Sequence, residues 1–278
     1  MSIGIKISVD RTRYGGLSTA ALTWKTNFEA LGGSISAATL QIIDDNLFKP
    51  ALDNGLILSK MDCLYLRAGL GTSAANQIAA NTNLISSNFQ TLPVSSPTFD
   101  NNGYKSSGTS YLNLQYNPFS QGVQYTMDKA LFFAIVKDPS FSATIRMMGG
   151  RGNLGNPNSE CYRLSGASRF VGQINDAGTG ASANTNVVTS GNVFLCVKRN
   201  TNLSIDNIID TNIVNSASVV STGLVNCNMF ELTTNNNNTG AGGNYDTSYH
   251  KASGYGSSDC DYATLRTLLL NTLAALGV

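Results

Sequence analysis

ALFFAIVK, residues Ala130–Lys137, is apolar at every position before its terminal lysine and ends at the turn pair Asp138-Pro139. A strand that faces water on one side alternates apolar and polar residues, whereas a strand covered on both faces is apolar throughout. A second run of this kind, VFLCV at Val193–Val197, lies inside the segment Asn192–Arg199. The two runs therefore predict central strands that are covered on both faces.

The sequence around these runs, from Phe99 to Asp259, has the pattern of an all-β domain. Short apolar or alternating segments are separated by clusters of Gly, Asn, Asp and Pro, which favour turns. Strands at this spacing are typical of a β-sandwich. The other predicted strands are Tyr111–Tyr116, Thr144–Met148, Glu160–Ser165, Arg169–Ile174, Leu203–Ile209 and Leu224–Leu232. The segment Asp259–Val278 returns to helical periodicity and predicts a closing helix.

The chain before the sandwich is predicted to have two parts. Residues 1–71 form a mainly helical region that begins with an alternating arm, Ile3–Val9, and ends with the apolar stretch Leu56–Leu70, whose start favours a helix over a strand. Residues 72–98 form a polar linker, which Pro93 and Pro97 predict to be extended. The sandwich and its closing helix then occupy residues 99–278.

A stripe of large apolar residues in the helical region has two interpretations. Its members recur at spacings of three and four, as on one face of a helix, and are followed by the helix-ending pair Gly32-Gly33. Large aromatic residues are favoured anchors of interfaces, so the stripe predicts a docking surface and a homo-oligomer. The alternative is packing within the same chain. The predicted docking residues are Leu17, Trp24, Phe28 and Leu31.

The segment Phe99–Leu114 contains the pattern Gly-Tyr-x-x-x-Gly-x-Ser-Tyr-Leu-Asn between Gly103 and Asn113. It resembles the opening of the concanavalin A-like (LamG-type) jelly-roll domains of tailed-bacteriophage virion proteins, where such a stretch leads from the first strand into the second. The resemblance covers Leu40–Val278 and leaves Met1–Leu31 outside. It implies a jelly-roll β-sandwich and a structural role in a virion, as a head fibre, a decoration or a tail component. No catalytic signature belongs to it.

Composition limits the classes of function. Lys and Arg number 18 and Asp and Glu number 17, so the net charge of +1 argues against a general nucleic-acid binder. No run approaches the roughly 18 apolar residues of a membrane span, and the start, MSIGIK, lacks the pattern of a signal peptide. Single, scattered cysteines predict free thiols in a protein made in a reducing cytosol. They are Cys63, Cys161, Cys196, Cys227 and Cys260.

Motifs for catalysis are weak, and we expect no enzyme. A glycosidase needs two carboxylates about 5 to 10 Å apart, whereas Glu160 and Glu231 stand alone in their predicted strands. The single histidine, His250, lies near a hydroxyl and a carboxylate, but nothing in the sequence arranges them as a triad. The Gly-rich segment Gly149–Gly155 lacks Gly-Lys-Ser/Thr, so it predicts a hairpin tip that carries Arg151 rather than a phosphate loop.

Two kinds of ligand are weighed for the loops. Calcium needs six to eight oxygen ligands, and the candidates for these are Asp100, Asp176, Asn244 and Asp246. Their spacing matches no calcium loop, and Asn and Asp are common in turns for backbone reasons, so we expect no cofactor. A sugar could instead bind the amide-rich tract 235–243, with a tyrosine stacking on the ring. The predicted contact residues are Asn235, Asn236, Asn237, Asn238, Tyr245 and Tyr249. A solvated hairpin is the alternative for this tract.

Two functional hypotheses follow from these observations. The first is a non-enzymatic virion structural protein that docks on other virion proteins through residues 1–71 and is assembled in the host cytoplasm. The second is a carbohydrate- or receptor-binding adhesin with the same fold, whose ligand is a host-surface glycan.

Overall fold

A computed structural model describes residues 16–139, 144–152, 157–164, 169–177, 181–184 and 190–278, with backbone alone for residues 181–184. The predicted arm Ile3–Val9 lies outside the described residues. The helices are α1 (Thr19–Ala30), α2 (Ala37–Ile43), α3 (Lys49–Asp53), α4 (Ala74–Asn81), α5 (Pro118–Gln121) and α6 (Tyr262–Ala275). The strands are β1 (Met61–Leu66), β2 (Leu92–Val94), β3 (Thr98–Asp100), β4 (Gly103–Lys105), β5 (Tyr111–Asn113), β6 (Ala130–Lys137), β7 (Ile145–Arg151), β8 (Asn158–Leu164), β9 (Arg169–Asp176), β10 (Ala181–Asn184), β11 (Asn192–Thr201), β12 (Ser204–Ile209), β13 (Asn212–Ser218), β14 (Phe230–Glu231), β15 (Asn235–Asn236) and β16 (Tyr249–Gly256).

The strands form two sheets of a β-sandwich, which confirms the predicted fold class. The first sheet has the order β13-β12-β11-β6-β16-β4-β3, and β1 pairs with β16 through Ala252–Gly256. The second sheet has the order β10-β9-β8-β7-β14-β5-β2. Neighbouring described strands are antiparallel except β15, which pairs parallel with β7.

The first sheet is covered on both faces, as the run in β6 predicts. Phe132 points into the cluster between the two sheets, and its neighbour Phe133 belongs to the cluster under the helices. Strand β11 divides in the same way, because successive side chains of a strand point to opposite faces: Leu195 lies between the sheets and Phe194 lies under the helices. The predicted closing helix α6 is also confirmed; Asp261 caps its start by accepting from the Thr264 N–H at 3.1 Å.

Helix α1 packs against α4 and the segment Asp44–Phe48, in the apolar cluster that covers the outer face of the first sheet. Trp24 and Phe28 are 0% and 1% exposed and belong to the same cluster as Phe133, while Leu17 packs against that cluster. Leu31 follows the helix and is 50% exposed. Within this chain Trp24 and Phe28 are therefore core residues, as the alternative interpretation has it, and docking through the stripe stays a prediction.

Two segments before the sandwich differ from expectation. The stretch Leu56–Leu70 contains only a short 3₁₀ turn, Leu58–Lys60, followed by strand β1, every residue of which is buried. A short run of apolar residues is compatible with a buried helix as well as with a central strand. The pairing of this segment with β16 selects the strand. The polar linker contains the helix α4, whose start is held by reciprocal hydrogen bonds between Ser73 and Asn76. The boundaries at residues 71 and 98 remain predictions.

The motif between Gly103 and Asn113 carries the chain from one sheet to the other. It begins in β4 of the first sheet and ends in β5 of the second. Gly103 has a φ of 107°, and a Cβ there would lie 2.2 Å from the His250 carbonyl oxygen. Only glycine fits this position, because the conformation is left-handed and the neighbouring backbone is in contact.

Candidate functional site

The outer face of the second sheet, which points away from the first, carries a charged cluster. In β8, Cys161 points into the sandwich interior and Ser159 bonds there to the buried Tyr125 hydroxyl. Because side chains alternate along a strand, Glu160 and Tyr162 point outward. Arg146 is the cross-strand partner of Tyr162, so it lies on the same face.

Glu160 is held between two arginines. Arg146 donates from Nη1 to Oε2 at 3.2 Å, and Arg151 donates from Nε to Oε1 at 2.7 Å. The Glu160 side chain is fully buried beneath them, while Arg146 and Arg151 are 19% and 33% exposed. Burial raises the pKa of Glu160, against the opposing effect of the two guanidinium groups. The cluster thus presents two oriented cations over one buried anion, with an excess of one positive charge.

The predicted sugar-contact loop borders this cluster. Strand β15 pairs with Gly150 and Arg151, and the Asn237 N–H donates to the Arg151 carbonyl oxygen at 2.8 Å. Asn235 is buried and donates to the Asn228 carbonyl oxygen at 2.7 Å, so its side chain holds the loop in shape. Asn236 and Asn238 are exposed.

A buried hydroxyl group and aromatic residues adjoin the two arginines. Thr234 accepts from Arg146 Nη1 at 3.2 Å, and Tyr245 forms a backbone bridge with Arg146. Burial, and to a smaller extent Tyr245, raise the pKa of Tyr111, whose ring stacks on Phe230 with the ring centroids 4.5 Å apart. We call this surface the arginine face; it consists of the partly exposed Arg146, Arg151, Tyr162 and Tyr245 over the buried Glu160 and Thr234.

Tyr249, the remaining predicted contact residue, lies elsewhere. It belongs to β16 of the first sheet, and its hydroxyl donates to a carboxylate oxygen of Asp100. The Lys105 ammonium lies 4.5 Å from the centre of its ring. The structure therefore places Tyr245 on the arginine face and gives Tyr249 different partners.

The carboxylates considered for calcium have protein partners. Asp246 is buried and bonds to Arg163 and His250, and Asp100 accepts from Tyr249. Asp176 is also buried, and it accepts from the Ile174 N–H at 3.3 Å. Asn244 is exposed. Within the described part of the chain, no group of three or more His, Cys, Asp or Glu side chains has the arrangement to hold a metal ion.

The other residues considered for catalysis are internal. His250 Nε2 lies 3.1 Å from Asp246 Oδ2, and both side chains are fully buried. Burial favours a raised pKa for Asp246, but the Arg163 charge and the hydrogen bond from His250 hold that pKa below its ordinary value. Glu231 is paired with Arg67 at 2.7 Å, again with both side chains buried. These groups stabilise the interior and face no open surface.

The pairing of Arg146 with Glu160 was not predicted from the sequence. There Glu160 is an isolated carboxylate, and Arg151 lies in the predicted hairpin tip. Arg151 is instead the last residue of β7, where it reaches Glu160. The available signal was the pairing of two neighbouring predicted strands, which brings charges of opposite sign together on one face.

Comparisons with known proteins support the fold. No protein-family model and no curated protein sequence matches the chain. The binding domain of botulinum neurotoxin serotype D superposes with a TM-score of 0.50 at 10% identity, over 77% of this chain and 51% of that one. A Trypanosoma rangeli sialidase gives a TM-score of 0.50 at 10% identity, over 90% of this chain and 38% of that one. Domain 4 of an extracellular arabinanase from Geobacillus stearothermophilus was solved with arabinotriose. It gives a TM-score of 0.47 at 11% identity, over 75% of this chain and 98% of that one.

The chain spans about half the length of the toxin structure and 38% of the length of the sialidase structure. At 10% identity, the similarity to the toxin domain and to the sialidase shows a shared fold and nothing beyond it. In the described residues, no helix has the length and apolarity needed to cross a bilayer.

Proposed function

We propose that this protein is a non-enzymatic, glycan-binding β-sandwich, an adhesin or lectin in its mode of action. The observation that carries the proposal is the arginine face: two partly exposed guanidinium groups are oriented by the buried Glu160 and bordered by Tyr245 and the exposed Asn236 and Asn238. Sugar hydroxyls need closely spaced donors and acceptors, and the apolar face of a sugar ring packs on aromatic side chains. The arginine face offers both types of group on one surface.

The charge of the arginine face favours a glycan that carries an acid group. The two arginines and one glutamate leave an excess positive charge, and a guanidinium can bind a carboxylate or phosphate through two parallel hydrogen bonds. The buried Nε of Arg146 has no hydrogen-bond partner within the described structure. Both oxygens of Glu160 are engaged by arginines, which argues against a role for this carboxylate in hydrolysis.

Replacing Arg151 tests this function. Hydrogen bonds to charged groups contribute about 1.5–3 kcal/mol, so we expect Arg151→Gln to weaken glycan binding by roughly ten-fold to one-hundred-fold. Acidic and neutral oligosaccharides are first screened on an array, and the ligands found are then titrated by calorimetry. Arg151→Lys keeps the positive charge but loses the planar guanidinium group. We expect it to bind glycan more tightly than Arg151→Gln and more weakly than the unaltered protein.

The matched control is Arg266→Gln. Arg266 lies in α6 and forms a partly exposed ion pair with Asp210 at 2.9 Å, away from the second sheet. This substitution should leave both the glycan affinity and the melting temperature of the protein unchanged. Failure of the unaltered protein to bind any glycan, or equal binding by Arg151→Gln, would contradict the proposal.

A virion role is a separate proposal, which rests on the resemblance carried by Phe99–Leu114. In it, the N-terminal region docks on other virion proteins, the chain oligomerises, and assembly takes place in the host cytoplasm. Leu31 is the most exposed member of the predicted stripe, with half of its surface open to a partner. We expect Leu31→Asp to impair oligomerisation or incorporation into particles while stability is unchanged. Normal incorporation of this variant would argue against docking through the stripe.

A further inference from the structure

A groove of about 760 Å³ lies outside the arginine face. It runs between the segment 85–89 and the segment 115–124, and Asp62 lies at its base. Its size falls within the range of small-molecule sites in proteins. The polar residues that line it, apart from Asp62, are uncharged: Ser86, Asn88, Gln115, Gln121 and Gln124. None of the candidate catalytic or ligand-binding motifs in the sequence includes these residues.

Asp62 fixes one wall of the groove. Its carboxylate accepts the N–H groups of Val123, Gln124 and Tyr125 at 3.1, 2.9 and 2.9 Å, and the Tyr116 hydroxyl at 2.8 Å. Asp62 is 8% exposed, and both of its carboxylate oxygens accept from these donors. Asp62 therefore holds the loop that carries Val123 and Gln124 and leaves little acceptor capacity for a ligand.

The opposite wall is held by packing. Phe89 adopts a φ of 61°, a left-handed conformation that is rare for a bulky residue. Its ring packs edge-on against Tyr116 with the centroids 5.1 Å apart, and its carbonyl oxygen accepts from the Tyr65 hydroxyl at 2.6 Å. These contacts fix the Phe89 ring beside the groove, so the wall is formed before a ligand binds.

The groups directed at the groove are unused amides and apolar surface. Within the described residues, no side-chain hydrogen bond is made by the carboxamides of Asn88, Gln115 and Gln124. Each carboxamide offers two donors and one acceptor group. Val123 is 74% exposed, which leaves an apolar contact beside these amides.

We propose that this groove is a second glycan site, which binds a neutral oligosaccharide. Carboxamides suit sugar hydroxyls because both act as donors and acceptors, and Phe89 with Val123 can pack on the C–H faces of the rings. None of the described residues that line the groove carries a guanidinium or ammonium group, and Asp62 is engaged by four protein donors, so this lining does not select for a charged ligand. The groove and the arginine face thus differ in the class of glycan that each accepts.

Removal of one amide tests the groove. Gln124→Leu keeps the size of the side chain but removes its donors and acceptor, and we expect the affinity for the neutral oligosaccharide to fall at least ten-fold. Binding is measured by calorimetry and by saturation-transfer NMR with neutral and acidic oligosaccharides of equal length. Gln41→Leu, in α2 and outside the groove, is the matched control and should bind as the unaltered protein does. Thermal unfolding of each variant checks that the fold is retained.

The two glycan sites are separated by reciprocal variants. Gln124→Leu should retain binding of acidic glycans, and Arg151→Gln should retain binding of neutral ones. The groove proposal is overturned if no neutral oligosaccharide binds, if neutral binding is lost in Arg151→Gln but kept in Gln124→Leu, or if a peptide and no sugar perturbs Gln115 and Gln124. Absence of acidic binding alone would overturn only the function proposed for the arginine face.

Discussion

Replacement of Trp24 by alanine is expected to lower the free energy of unfolding by about 3–5 kcal/mol, the range found when large aromatic residues are removed from cores. The Trp24 side chain is fully buried and packs edge-on against Phe28, with the ring centroids 5.0 Å apart. It also contacts Phe48, and its Nε1 donates to the Thr82 carbonyl oxygen at 3.3 Å. The substitution removes this packing and leaves the carbonyl without its indole donor.

Urea denaturation followed by circular dichroism measures the effect. Leu31→Ala is the control from the same stripe; because Leu31 is half exposed, we expect a change within about 0.5 kcal/mol. If Trp24→Ala leaves stability unchanged but prevents assembly, the contact with the core is energetically unimportant and Trp24 acts as an interface anchor. The expected loss of stability would instead assign Trp24 to the folding of the chain.

Removal of Glu231 is expected to destabilise the fold by a similar amount. Its carboxylate bonds to Arg67 Nη2 at 2.7 Å, and neither side chain is exposed. Arg67 also donates to the Ala80 carbonyl oxygen at 2.6 Å and to Thr91 Oγ1 at 3.0 Å. Glu231→Ala leaves the guanidinium buried without its counter-ion, which costs about 3–5 kcal/mol in comparable pairs.

A double substitution distinguishes loss of an ion pair from loss of volume. In Arg67→Met with Glu231→Leu neither charge remains, so we expect it to be more stable than Glu231→Ala alone. Glu29→Ala breaks the exposed pair with Lys25, whose atoms are 2.6 Å apart, and should change stability by less than about 1 kcal/mol. A double variant that is no more stable than the single one would show that the isolated charge is not the cause.

The helices and strands with a clear periodicity were predictable from the sequence. The run in Ala130–Lys137 specifies a strand covered on both faces, because a polar residue on either face would be buried without a partner. Helix α1 follows in the same way from apolar residues at helical spacing, and Gly32 ends it at a φ of 83°. These patterns are local, and local chemistry is enough to select the backbone conformation.

The candidate sites depended on contacts between distant segments. Whether Arg146 faces outward is set by the irregular register between β7 and β8 at Arg146 and Met148, and a shift of one residue would turn the side chain to the other face. The groove likewise forms only where Asp62 meets the loop that carries Val123 and Gln124, about sixty residues later in the chain. The sequence by itself thus determined the β-sandwich and the helices α1 and α6, through periodicity and turn chemistry. Only the tertiary structure decided which isolated charges and amides meet, because strand register and loop closure are set by packing over the whole chain.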